Sequence, residues 1–153
     1  MSGILNDLPS QKEAAFSFVE YRFTNAYIDF SGLHRNGDLT ISFNPSGVYD
    51  DKQGLFRLSL SFVVRMEDSR TEMIKVECQA LFRFREPLPI GLLPDYFFAN
   101  STAIIYPYIR AFVSTLSLQA NYRPFVLPTF NVSALGAELK KATTVGTVSE
   151  TID

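Results

Sequence analysis

The chain has 153 residues, enough for one domain with a single core and short for two. Hydrophobic residues make up 46% and charged residues 20%, which argues against wholesale disorder, and a formal net charge of −2 with no basic run argues against a phosphate-tracking nucleic-acid surface. The single cysteine, Cys78, excludes an internal disulfide and a cysteine metal cluster; with no signal pattern and no apolar run long enough to span a bilayer, a cytoplasmic protein without membrane insertion is expected.

Residues 1–13 carry Pro9 and polar residues with weak periodicity and read as a frayed lead-in. From Phe16 to Phe30, the residues Phe16, Phe18, Tyr21, Phe23, Tyr27, Ile28 and Phe30 stand among polar ones. This is a strand pattern, and its phase changes near Tyr21 and near Asn25-Ala26 predict bulges. His34-Arg35-Asn36-Gly37-Asp38 reads as a turn. Leu39, Ile41 and Phe43 alternate with Thr40 and Ser42 in a second strand, which Asn44-Pro45-Ser46-Gly47 is expected to stop. The clearest alternation follows: Phe56 to Met66, a polar turn at Glu67-Asp68-Ser69-Arg70, then Ile74 to Arg85. It predicts an antiparallel hairpin with one wet face and one apolar face that needs a cover.

After a connection with Pro87, Pro89, Gly91 and Pro94, the stretch from Asn100 to Ala120 reads as the one long helix, with Asn100 or Ser101 as its cap. Ile104, Tyr108, Phe112 and Leu116 form one row and Ile105, Ile109 and Val113 the next, together a broad stripe that should be buried. Pro107 has no N–H for the carbonyl of Ala103, a defect of about 3 kcal/mol in a helix interior, so a kink or a new helical start is expected there. Residues 121–131 form an extended Pro-containing segment with Phe125, Leu127 and Phe130, and a short helix is expected from about Ser133 to Lys141. The predicted organisation is α+β: a lead-in over 1–13, one domain over 14–141 with a four-stranded antiparallel sheet covered on one face by a long kinked helix and a short second one, and a mobile tail over 142–153.

The titratable residues offer little for catalysis. His34 falls in a turn, Cys78 on the apolar face of a strand, and Asp50-Asp51 and Glu67-Asp68 in polar loops, while phosphate loops and metal-ligand spacings are absent. No enzyme, cofactor or metal is expected. Binding is left, and the aromatics are its candidates. Tyr96, Phe97 and Phe98, with Phe125, Leu127 and Phe130, lie in two Pro-punctuated connections flanking the long helix. Two readings stand for them: a partly exposed apolar groove able to take many extended segments, or plain core.

Tyr106-Pro107-Tyr108-Ile109-Arg110 on a long helix, then Arg123-Pro124-Phe125-Val126-Leu127-Pro128, then Asn131-Val132-Ser133-Ala134-Leu135, following four strand-like stretches, resembles the SecB family of protein-export chaperones over roughly Phe16 to Leu139. The resemblance implies an ATP-independent holdase, a homotetramer built as a dimer of dimers. It would keep unfolded or non-native polypeptides in an apolar groove and hand preproteins to the translocase motor SecA. Carried over by position, the groove would draw on Tyr96, Phe97, Phe98, Phe125, Leu127 and Phe130, and the helix stripe Tyr108, Ile109, Phe112 and Leu116 would divide between the sheet and neighbouring subunits. Of the acidic positions that dock the motor, Glu77 matches. The others depart: the family's acidic strand motif becomes Phe23-Thr24-Asn25-Ala26-Tyr27-Ile28-Asp29-Phe30-Ser31, and Lys75, Arg57, Arg65, Arg83 and Arg85 share the wet faces. A SecB-like chaperone or adaptor dedicated to a single partner, for example an antitoxin, and without motor docking, is the alternative.

Overall fold

The computed structural model describes residues 15–33, 38–67, 70–123, 127 and 131–152. The expected lead-in, most of the His34 turn, Phe125 and Phe130 lie outside the described residues. The strands are β1 (Phe16–Ile28), β2 (Leu39–Asp50), β3 (Leu55–Met66), β4 (Glu72–Phe84) and β5 (Thr143–Val145), in the spatial order β1-β4-β3-β2-β5. The first four pair antiparallel, and β5 runs parallel to β2. The expected four-stranded antiparallel sheet is therefore corrected to a five-stranded mixed one, and the expected mobile tail supplies the fifth strand.

The β3–β4 hairpin matches its alternation, with Phe56, Leu58, Leu60, Phe62, Val76, Cys78, Ala80 and Phe82 on the inner face and Arg57, Ser59, Glu77 and Gln79 on the outer. Bulges shift the β1–β4 register between Phe18 and Glu20 and between Phe23 and Asn25, so that Phe16, Phe18, Tyr21 and Phe23 all reach the inner face. β2 does not stop at Asn44. It continues through Pro45 and Gly47 to Asp50, because β5 reaches only Gly47 to Tyr49 and Pro45 sits where β2 is still a sheet edge, with no second ladder to lose. Gly47 has a packing reason: a Cβ there would lie 2.4 Å from Cζ of the buried Phe56.

The inner face is covered by helix α1 (Asp95–Gln119) with the short helix α2 (Leu135–Lys141) beside it. α1 begins five residues before the expected start. Pro94 holds extended backbone just ahead of it, Asp95 places an acid in the first turn, and the Phe97 N–H donates to the Pro94 carbonyl. Ser101 caps nothing; its hydroxyl donates back to the Phe98 carbonyl. Pro107 lies inside α1, which neither ends nor restarts there. The helix ends as its sequence suggests: Asn121 has φ 65°, its N–H donates to the Leu118 carbonyl, and the Tyr122 N–H reaches back to Ser117.

The expectation of one broad buried stripe is corrected too. Ile105, Ile109 and Val113 enter the core, whereas Ile104, Phe112 and Leu116 are half-buried and Tyr108 is 38% exposed. A helix lying on a sheet turns one row into it and the next row sideways.

Candidate functional site

The two helices meet at Gly136. A Cβ at that position would lie 2.7 Å from the Ala99 nitrogen, so α2 rests against the backbone of α1. The Thr102 hydroxyl donates to the Ala99 and Val132 carbonyls and ties α1 to the 3₁₀ turn Val132–Ala134 that leads into α2. This approach leaves a groove of about 550 Å³ with Phe98, Ala99, Gly136 and Ala137 along it and Asp95, Lys140 and Lys141 at its rim. Lys140 Nζ donates to Asp95 Oδ1 at 2.7 Å across the opening. Both side chains are exposed, so this pair shapes the rim and adds little stability.

The sequence-predicted aromatics separate here. Phe97 is fully buried against the rings of Phe16, Phe56 and Phe84, with centroids 4.7–4.8 Å away, and belongs to the sheet–helix core. Phe98 is also buried but borders the groove. Tyr96 is 46% exposed, and Leu127 packs into the core. The reason is that residues 96–98 lie in the first turn of α1, so helical geometry sends them in three directions. Ala99, Gly136 and Ala137 line the groove without having been singled out by the sequence; the small residues of Leu135-Gly136-Ala137 were the available signal.

A second apolar surface lies where β1 meets α1. Tyr21 stacks on Tyr108 at 4.3 Å and Phe23 on Phe112 at 4.0 Å, with Phe18 beside Tyr108. β1 is an edge strand, and Val19, Tyr21 and Tyr27 on it are exposed. On the opposite, helix-free face, Glu77 borders a polar hollow of about 210 Å³ formed with Asn44, Ser46, Ser59, Ser61 and Gln79. Cys78 faces the core, and burial pushes its thiol up to about 12, away from nucleophilic use. No helix among the described residues is long and apolar enough to cross a membrane.

The structure is similar overall to the SecB-like chaperone Rv1957 of Mycobacterium tuberculosis, solved with a ChAD peptide from the HigA1 antitoxin, at a TM-score of 0.60. The fold is SecB-like. The likeness covers 83% of this chain and 98% of that one at 19% identity. Within the SecB-like fold the motif Tyr106-Pro107-Tyr108-Ile109-Arg110 falls mid-way along α1. A protein of unknown function from Streptococcus agalactiae is similar at a TM-score of 0.45 and 13% identity, over 75% of this chain and 97% of that one. By sequence, an uncharacterized protein of Methanocaldococcus jannaschii is 43% identical over 42 residues, 28% of this chain and 27% of that protein. No protein-family model matches the chain.

Proposed function

We propose that this protein is an ATP-independent, non-catalytic chaperone that holds extended, non-native polypeptide segments in the cytoplasm. The observation that carries the reading is the SecB-like fold it shares with a chaperone caught with a peptide bound. The client surface follows the α1–α2 groove, with Phe98 bordering it, Ala99 and Ala137 along it and Tyr96 exposed on the first turn of α1. Phe125, Leu127 and Phe130 are assigned to the same surface by their place in the segment joining the helices; of these, Leu127 supports it from within the core. An apolar groove of this kind gains affinity from buried area, roughly 25 cal/mol per Å², and so tolerates many sequences. Tyr108 and Phe112, partly exposed beside the β1 edge, and the half-buried Leu116 further along α1 are assigned to contacts between copies in a homotetramer, while Ile109 serves the protomer core.

A second reading, a chaperone dedicated to one partner such as an antitoxin and without motor docking, is favoured by a specific observation. Around Glu77 the helix-free face carries Arg57, Lys75 and Arg83, and residues 146–152 cross one end of it. A mixed face of this kind is poorly suited to a positively charged motor such as SecA.

Dilution of a denatured, aggregation-prone polypeptide into buffer without ATP separates the readings. Suppressed light scattering at near-stoichiometric protomer ratios is expected for the general holdase, and loss of suppression in a folded Ala137→Asp variant locates the groove. Absence of suppression by folded wild-type protein removes the general holdase and leaves the dedicated chaperone.

A further inference from the structure

After α2 the chain crosses the face of the sheet opposite the helices. The Gly146 N–H donates to the Tyr49 carbonyl at 3.0 Å, continuing the β5 pairing. The Val148 N–H then donates to Asp50 Oδ2 at 3.1 Å, Gln53 Nε2 donates to the Val148 carbonyl at 3.0 Å, and the Ile152 N–H donates to Glu20 Oε1 at 2.6 Å. The side chains of Val148 and Ile152 are buried against Leu55 and Leu81, an apolar cluster separate from the main core.

Three side chains therefore read the backbone of this segment, and two aliphatic side chains four residues apart fill its sockets. Nothing in these contacts reads sequence beyond the size of those two side chains. The receptor is also held independently of what it binds. Asp50 Oδ1 accepts from the Lys52 and Gln53 N–H groups of the β2–β3 turn, Gln53 Nε2 also donates to Asp50 Oδ2 at 2.7 Å, and Leu55, Leu81 and Glu20 stand on β3, β4 and β1. Vacating the seat leaves its acceptors and sockets in place, which is the condition for exchange of one segment for another.

We infer that the seat formed by Asp50, Gln53, Glu20, Leu55 and Leu81 is a second peptide-binding site, occupied in cis by residues 146–152. It takes in exchange a partner segment presenting two aliphatic side chains four residues apart. It lies across the sheet from the helix groove and stands whether or not the holdase reading does.

The test uses the full chain carrying Val148→Ser with Ile152→Ser and a fluorescent peptide of residues 146–152, followed by anisotropy. An occupied seat lowers apparent affinity by the fraction of time it is vacant, so the variant is expected to bind at least about tenfold more tightly than wild type. A peptide with both aliphatic residues replaced by serine should not bind. A folded variant that binds no better than wild type overturns the inference. Hydrogen exchange on the unaltered protein decides the matter if that variant does not fold. Val148 and Ile152 amides are expected to exchange at least about tenfold faster than amides of β3 and β4. Equal rates, meaning that the segment leaves only when the whole fold opens, overturn it as well.

Discussion

At the scale of the residue, Gly47 and Asp50 show how single positions on β2 hold two faces of the sheet. The Phe56 ring passes over Gly47 and meets Tyr49, Phe97 and Phe98 in the core, so any Cβ at position 47 collides with a ring that has nowhere to move. Gly47→Ala is expected to destabilise by about 1–3 kcal/mol, the usual range for overpacking, seen as a lower urea midpoint with an unchanged slope. On the other face, the Val148 N–H, then the Gln53 side chain and backbone, hold the Asp50 carboxyl down at about 2. A depressed carboxylate contributes fully above its unfolded value and loses that contribution as pH falls through the folded one. The attachment of residues 146–152 should therefore be constant from neutral pH down to about 4 and weaken from there toward about 2. Acid titrations of stability in wild type and Asp50→Asn would show it: the wild type should lose stability over this window relative to the variant, and parallel curves would remove Asp50 as the cause.

At the scale of the element, α1 places Pro107 on an exposed side, where the missing N–H and the ring crowding are not relieved by any break in the helix. Pro107→Ala restores a donor for the Ala103 carbonyl and is expected to raise the melting temperature, with a gain of up to about 3 kcal/mol. An unchanged or lowered melting temperature would mean that the proline shape is needed where α1 meets its surroundings. The β3–β4 hairpin was legible because twelve or more residues repeat one period, and the end of α1 because Asn121 tolerates a left-handed conformation. The start of α1 was not. Its capping residue is Pro94, whose backbone rather than side chain accepts the bond, so Tyr96, Phe97 and Phe98 read as a connection and their respective outward, inward and groove directions stayed hidden. β2 read short because a proline looks like a stop unless the strand is known to lie at an edge. β5 is three residues long, too short for any period, and its continuation is held by two isolated aliphatic residues and by side chains of residues far away in sequence.

At the scale of the molecule, one protomer buries the α1 row through Ile105, Ile109 and Val113 and leaves Tyr108 and Phe112 partly open beside β1, which among the described residues is a sheet edge. Tyr108 and Phe112 already stack on Tyr21 and Phe23, so they form a preorganised aromatic surface rather than loose side chains. Among the described residues no strand pairs with the outer side of β1, a side that a second copy can meet, and a net charge of −2 offers little repulsion against close approach. Concentrated wild-type protein is therefore expected to sediment as an assembly. Tyr108→Asp with Phe112→Asp should shift it toward the single-chain mass of 17.2 kDa while it stays folded, because Ile105, Ile109 and Val113 still fill the core. Burying a charge without a partner in such a contact costs several kcal/mol, more than an aromatic pair contributes, so the shift should be complete at micromolar concentration. Sedimentation equilibrium read together with the melting curve settles the assignment. A variant that assembles as the wild type does would move the contact between copies elsewhere and free the β1–α1 aromatics to be client surface.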